Sequence, residues 1–393
     1  MVYVGIDIAS EKHACCILDE NSKHPLAEFE FENSASGFAI LLREISRHAL
    51  PGETKIGLEA TGIYGTNLSE FLRRNGFEIT TFNPLLLKNR ARGTTLRKTK
   101  TDKYDANFIA RTLMQEAVQP DTDISYHTLE LKSLTRLRSQ LVENRSKAKI
   151  RAKVALTVIF PEFLRAFSDI FGAASVATLR KYPCARDLAK CRKATLSKLL
   201  ATASRGQCGE AKAQELIGLA KNSIGTYSAA RVIALQVHLD EIQMYSAHIA
   251  ALDRQIKEIM DEINSPILSI PGIGYVLGAT ILAEIGDIRR FSSPDKLVSF
   301  AGIEPSIYQS GKYTGQGSMV KRGSPRLRWA LILAARLVSN VSLVFSVYME
   351  KKLAEGKAYN VATSHVAKKL VRVIFALLYK NTSFSDTILP SAA

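Results

Sequence analysis

At 393 residues, 46% hydrophobic and 23% charged, the chain has the length and composition of a soluble globular protein with about two or three domains, which excludes a fibrous or disordered polypeptide. With 53 Lys and Arg against 37 Asp and Glu, the net charge of +16 favours a polyanionic partner, nucleic acid ahead of an anionic membrane surface. The most apolar stretch, Leu331 to Met349, is interrupted by Arg336, Asn340 and several serines and is too polar to span a bilayer, so no membrane partner is expected.

No basic leader precedes an apolar run at the N-terminus, and the five cysteines, Cys15, Cys16, Cys184, Cys191 and Cys208, contain no Cys-x-x-Cys pair. A cytoplasmic protein with reduced thiols is the expectation. Val2 to Ile8 is an apolar run that predicts a strand covered on both faces, yet it contains Asp7. A buried carboxylate needs a cation, a donor or a solvent-facing strand end. Further strands are predicted at Cys15–Asp19, Phe29–Phe31, Lys55–Leu58 and Phe77–Phe82, with helices over residues 36–48 and 68–75. The fourth strand delivers a second acid, Glu59, just before Ala60-Thr61-Gly62.

From Leu85 to Lys103 the chain is basic: Lys88, Arg90, Arg92, Arg97, Lys98, Lys100 and Lys103 are seven cations, with Asp102 the only acid. A helix is predicted to start at Asp102, and the three-residue spacing to Asp105 puts both carboxylates on one face of it. Acids at a helix N-terminus also complement the dipole with no further role. If Asp7, Glu59, Asp102 and Asp105 gather, their repulsion, roughly 4 kcal/mol per pair at about 4 Å and an effective dielectric near 20, calls for divalent cations. Hard oxygen donors suit Mg²⁺ or Mn²⁺, and two such ions about 3.5–4 Å apart suit phosphodiester chemistry.

These segments, Gly5-Ile6-Asp7-Ile8-Ala9, Glu59-Ala60-Thr61-Gly62-Ile63-Tyr64 and Lys100-Thr101-Asp102-Lys103-Tyr104-Asp105-Ala106, resemble the DEDD transposases of the one-ten insertion-sequence family. The resemblance implies an α/β ribonuclease-H-like, Holliday-resolvase-like domain over about residues 1–125, with the four acids as metal ligands.

Beyond Leu131 long helices are predicted. Arg136 to Lys153 carries seven basic residues, Arg145 and Lys149 among them, against one acid, and could lie along a phosphate backbone. A helical insert follows over about 160–225. A second long helix runs to about Asn264, with Leu235, His238, Ile242, Tyr245, Ile249, Leu252, Ile256, Ile259 and Ile263 at coiled-coil spacing. It could pair within the chain or with another subunit; His238 is expected to be a packing or register residue.

A C-terminal, mainly helical domain is expected over about 265–385, with a polar tail over 386–393. Its opening, Leu268-Ser269-Ile270-Pro271-Gly272-Ile273-Gly274 before an apolar helix, resembles a helix-hairpin-helix element whose Gly272 and Gly274 would expose backbone N–H groups to a phosphate. Lys312, Lys321, Arg322, Arg326 and Arg328 are candidate nucleic-acid contacts, as are Lys98 and Lys100 of the earlier basic run. The block from Phe300 to Lys312, with Gly317 to Gly323 and Leu327-Arg328, resembles the C-terminal transposase domain of the same family. By position in that motif the nucleophilic serine is Ser310, with Ser306, Ser318 and Ser324 less well placed.

The resemblance implies a recombinase that cuts and rejoins double-stranded DNA through a phosphoserine, a noncoding guide RNA, and a homo-oligomer: a dimer, or a tetramer on DNA. A site-specific invertase, a resolvase-like nuclease and a non-catalytic nucleic-acid-binding protein are the alternatives.

Overall fold

The computed structural model describes residues 1–22, 24–59, 64–82, 87, 90, 101–115, 126–304, 309–310, 313–314 and 319–386. The chain divides into two compact units, Met1–Ile124 and Ser125–Ala393. The first has a ribonuclease-H-like fold built on a five-stranded mixed sheet of order β3-β2-β1-β4-β5. Strands β1 (Val2–Asp7), β2 (Lys12–Asp19) and β3 (Ala27–Glu32) form an antiparallel meander. Strands β4 (Thr54–Glu59) and β5 (Glu78–Phe82) add in parallel beyond β1, after the helices α1 (Ala35–Ser46) and α2 (Thr66–Arg74). The central strand is buried from Val2 to Ile6, as its unbroken apolar run predicts.

Alternation along the strands divides their side chains between two cores. Val4, Ile6, Ile17, Ile56 and Leu58 pack on one face against Leu41 and Ile45 of α1 and Leu68 and Leu72 of α2. Tyr3, Ala14, Cys16, Leu18 and Phe82 pack on the other against Ala106, Ile109, Ala110 and Leu113 of α3 (Asp102–Gln115). Glycine lets α3 come this close. A Cβ on Gly5 would lie 2.1 Å from the Ala106 carbonyl oxygen and 2.4 Å from the Ala110 nitrogen, and one on Gly57 would lie 2.9 Å from Ile109 Cγ2.

In the second unit, α4 (Tyr126–Ile159) and α9 (Ala229–Ile263) are the two long helices, and they pair with each other. Arg138 bonds Asp253 and Arg145 bonds Ser246, so the pair is antiparallel and the coiled-coil face of α9 is satisfied within the chain. The inward places fall to Leu235, Leu239, Ile242, Ile249, Leu252, Ile256 and Met260. Leu239 and Met260 take the buried places where strict heptad spacing put His238 and Ile259, because a straight helix drifts from that period. His238 stands at the edge, 2.9 Å from Glu241 Oε2. The insert consists of α5 (Ala173–Lys181), α6 (Ala185–Ala189), α7 (Lys193–Ala203) and α8 (Glu210–Lys221). Its core joins Phe160, Phe163, Leu179, Leu188, Leu200 and Leu216.

The C-terminal core is separate. It is formed by α10 (Tyr275–Ile285), α11 (Pro294–Ala301), α12 (Pro325–Val341), α13 (Leu343–Ala354) and α14 (Tyr359–Lys380), together with Leu131, Ile256 and Met260 of the long pair. Among the described residues no single helix is long and apolar enough to cross a membrane; the apolar run near Leu331 is split between α12 and α13, which bend by 102°. Asp386, expected to open a polar tail, instead caps α13. Its carboxylate accepts hydrogen bonds from Ser342 Oγ at 2.6 Å, Leu343 N at 3.0 Å and Val344 N at 3.2 Å, which holds it below the usual aspartate range. Residues 387–393 lie outside the described residues.

Candidate active site

Asp7 and Glu59 close β1 and β4, adjacent parallel strands whose register runs to Ile6 beside Leu58. The two acids are therefore next in line at the same end of the sheet, on strands about 4.8 Å apart. Strand alternation fixes their face. Val2, Val4 and Ile6 point to the α1–α2 core, so Tyr3, Gly5 and Asp7 point the other way, and by the same count Gly57 and Glu59 do too. That is the face covered by α3.

Asp102 and Asp105 occupy the first turn of α3, directly before the Ala106 that rests on Gly5. Thr101 starts the helix: its hydroxyl accepts from Tyr104 N at 3.3 Å and its carbonyl from Asp105 N at 3.0 Å. All four predicted acids thus lie on, or at the entrance of, one face. Asp102 is exposed and the other three are half-buried. As donors, four carboxylates reachable by water fit a hard divalent cation. Among the described residues, no group of three or more His, Cys, Asp or Glu stands close enough to hold a metal ion.

A polar chain not anticipated from the sequence pins α3 in place. Arg111 Nε donates to Asn107 Oδ1 at 2.7 Å, and Asn107 Nδ2 donates to Glu28 Oε1 on β3 at 3.0 Å. The Cys16 thiol, 3.7 Å from the same Glu28 oxygen, is pushed up to about 12 by burial and then by the Glu28 charge, so it stays protonated. The signal available was the Asn107/Arg111 pair, four apart on one helix face. On the opposite core face His13 is fully buried. Its Nδ1 accepts from Ala9 N at 3.2 Å, leaving the proton on Nε2, which has no hydrogen-bond partner. Burial lowers its pKa, an effect Asn33 partly offsets.

Ser310 belongs to the second unit. Its backbone lies in β6 (Gln309–Ser310), which pairs antiparallel with β7 (Tyr313–Thr314), Ser310 opposite Tyr313. The segments flanking this hairpin are clamped together: Val320 N donates to the Glu304 carbonyl at 2.9 Å, Lys321 N to Gly302 at 3.2 Å and Ser324 N to Phe300 at 2.9 Å. Two glycines permit the closeness. Gly302 and Gly323 have φ of 68° and 109°, and a Cβ on either would meet the Arg322 or Phe300 carbonyl oxygen at 2.2 or 2.1 Å. Lys321 is also left-handed, with φ 55°. Ser324 caps α12 by accepting from Leu327 N at 3.2 Å. Its hydroxyl donates to Glu284 Oε2 at 3.0 Å. Glu284, 6% exposed, receives Arg136 Nε at 2.9 Å and Nη2 at 3.2 Å, a pairing of a buried acid with an exposed arginine that sequence separation concealed.

The predicted nucleic-acid residues have varied settings. Lys321 and Arg322 are exposed just before α12 and Arg326 is exposed in its first turn, whereas Arg328 is half-buried and donates to the Ala301 carbonyl at 3.4 Å. Lys149 stands 5.2 Å over the Phe171 ring, and Arg145 donates to Ser246 Oγ at 3.3 Å. Gly272 makes a left-handed turn at φ 88°, and Gly274 is the N-cap of α10, with no side-chain hydrogen bond to the helix. Lys98, Lys100 and Lys312 lie outside the described residues, as do Ser306 and Ser318.

Two family models match the chain: a DEDD transposase model over residues 4–161, which contains all four acids, and a "Transposase IS116/IS110/IS902 family" model over residues 264–350, which contains Ser310. Similar proteins extend along nearly the whole length. The "Insertion element IS900 uncharacterized 42 kDa protein" of Mycobacterium paratuberculosis is 26% identical over 100% of this chain and 99% of its own. The "Pilin gene-inverting protein" of Moraxella lacunata is 25% identical over 98% of each. Among solved structures, T. thermophilus RuvC in complex with Holliday junction substrate matches 30% of this chain and 99% of its own, at 15% identity and a TM-score of 0.23. A ribonuclease-H-like domain followed by a helical transposase domain defines the class, an insertion-sequence transposase. The chain belongs to the IS116/IS110/IS902 transposase family.

Proposed function

We propose that this transposase cuts and rejoins double-stranded DNA through a covalent phosphoserine on Ser310, with Asp7, Glu59, Asp102 and Asp105 serving the same reaction as ligands of Mg²⁺ or Mn²⁺. The observation that carries the reading is the placement of Asp7 and Glu59 as neighbours on the α3 face, with Asp102 and Asp105 in the first turn of the covering helix. When bound, one or two such ions would neutralise the carboxylates and polarise a phosphodiester.

The hydroxyl oxygen of Ser310 attacks phosphorus. A new P–O bond forms, the sugar oxygen leaves with its electron pair and takes up a proton, and the serine proton passes to solvent or a nearby base. The hydroxyl of a second DNA end then attacks the phosphoserine and releases Ser310, so the phosphodiester count is unchanged. Lys312, Arg322 and Arg326 supply positive charge near the developing charge on phosphate. Arg328 and the Gly302/Gly323 clamp fix the base of the hairpin.

Strand exchange between two duplexes needs several active sites, which favours a homo-oligomer in which one subunit's acids serve another's serine. A noncoding RNA encoded by the element would act as the guide. The relation to the pilin gene-inverting proteins supports one alternative, a site-specific invertase with the same chemistry on fixed sites. RNA sequencing of co-purifying nucleic acid separates the two: a single structured species supports guidance, and its absence from an active preparation supports the invertase. For the nucleophile, a trapped reaction with end-labelled DNA is expected to give a protein–DNA adduct that Ser310→Ala abolishes. An adduct that survives in Ser310→Ala removes Ser310 from the role.

A further inference from the structure

The chain has a single tryptophan, Trp329, and it is 57% exposed on the outer face of α12. The inner face of that helix is firmly seated, with Leu327, Ala330, Leu331 and Ala334 each 1% exposed or less. The indole is therefore held out on a rigid support, not on a loop. A tryptophan left in water forfeits the largest burial gain any side chain offers, so its exposure calls for a partner.

The surroundings of Trp329 specify that partner's charge. Between Glu304 and Glu350 the sequence holds six cations, Lys312, Lys321, Arg322, Arg326, Arg328 and Arg336, and no acid. Lys321, Arg322, Arg326 and Arg336 are exposed. On a helix, Arg326 lies one turn before Trp329 and Arg336 two turns after it, on the same face. The outer surface of α12 thus alternates guanidinium, indole and guanidinium, entered from the clamped Lys321-Arg322 turn.

Leu337 and Val341, 40% and 58% exposed, continue this face and raise the competing occupant, a second copy of the chain. A two-fold contact through this surface would set its arginines against those of the copy, with no acid of α12 between them. The charge favours a polyanion.

We infer that Trp329 is a stacking platform for an unpaired nucleic-acid base, on a strand whose phosphates are held by Lys321, Arg322, Arg326 and Arg336. The inference rests on the nucleic-acid function proposed above and adds a site and a strand type to it. A flat indole on a convex helix stacks on a base only when that base has left its duplex, whereas the arginines hold phosphates of either form. A recombinase exposes unpaired bases at each strand exchange, and this face lies next to the clamp from which the Ser310 hairpin extends.

Because Trp329 is the only tryptophan, the emission of the full-length protein reports on this site alone. The protein is titrated with a dye-labelled single-stranded oligodeoxynucleotide, with the same strand carrying abasic positions, and with the matching duplex. Dye anisotropy measures binding and tryptophan emission measures contact. The expected result is strong quenching at saturation by the intact strand, and little by the abasic strand or the duplex. Trp329→Ala should weaken single-strand binding about tenfold or more while duplex binding changes little, and Trp329→Phe should keep most of the affinity.

Saturation by anisotropy with unchanged emission, or Trp329→Ala binding as the parent does, overturns the stacking site and leaves the nucleic-acid function standing. Absence of binding to every strand overturns both. An emission shift that tracks protein concentration without nucleic acid assigns Trp329 to a second copy and overturns the inference.

Discussion

The acids of the N-terminal unit and the serine of the C-terminal unit stand on opposite kinds of support. Asp7 and Glu59 end strands whose every neighbour is set by a ladder, two cores and a helix packed on glycine. Ser310 lies in a two-residue strand of a hairpin whose flanks are tied by three backbone hydrogen bonds and two left-handed glycines. A site on regular structure is fixed many times over, so single surface changes hardly move it. A site on a clamped hairpin depends on a few contacts, and each of them is a point of failure.

That contrast is broken most strongly at Gly5. A methyl group at Gly5 must push α3 off the sheet, and Gly5→Ala is expected to destabilise the N-terminal unit by about 3 kcal/mol. Hydrogen exchange should show protection lost in β1 and α3 and kept in α12; unchanged protection in β1 would contradict the close packing.

The corresponding change in the second unit is Gly323→Ala, where both φ 109° and the Phe300 carbonyl oppose a side chain. A local loss of about 2–3 kcal/mol is expected. Serine adduct formation should fall while exchange in the N-terminal sheet stays as it was.

Arg136→Leu leaves the buried Glu284 carboxylate with Ser324 as its remaining hydrogen-bond donor among the described residues, and should cost about 2 kcal/mol in urea unfolding. Restoring apolarity with Glu284→Leu in the same chain should recover part of it. Asp386→Ala removes the cap of α13 and should cost about 1 kcal/mol, seen as faster exchange at Val344 and Phe345.

Acid sharpens the comparison from the other side. His13 is buried and its folded-state pKa lies below the ordinary 6.5. The unfolded chain then binds the proton first, so stability contributed by neutral His13 is present above that value and is lost as pH falls below it, until the folded group also titrates. Unfolding followed from pH 7.5 to 5 should show this loss in the N-terminal unit, and His13→Gln should flatten it; an unaltered slope would place the proton uptake elsewhere.

What was legible in the sequence follows the same division. Apolar runs and alternation gave the five strands, and the apolar strand ends drew attention to Asp7 and Glu59. The face shared by the acids was not legible, because it depends on Gly5 and Gly57 admitting α3, and glycine in a strand looks like a weakness until the helix is seen. Long-range polar ties, Asn107 to Glu28 and Arg136 to Glu284, leave no periodic trace. The heptad spacing of α9 showed a packed face but not its partner, which is α4 of the same chain. Asp386 lay past the last predicted helix and looked like the start of a tail, since a cap supplied from 42 to 44 residues away has no local signature. Around Ser310 the Gly and Ser residues look like an ordinary turn, and family resemblance, not periodicity, singled the serine out.

In the proposed reaction the acids on the α3 face serve DNA strand exchange. Plasmid recombination by Asp7→Asn and Glu59→Gln, with folding checked by unfolding curves, tests it directly. Both variants are expected to fold normally while recombinant product falls by about a hundredfold or more. Recombination at the parent rate by either variant would contradict it.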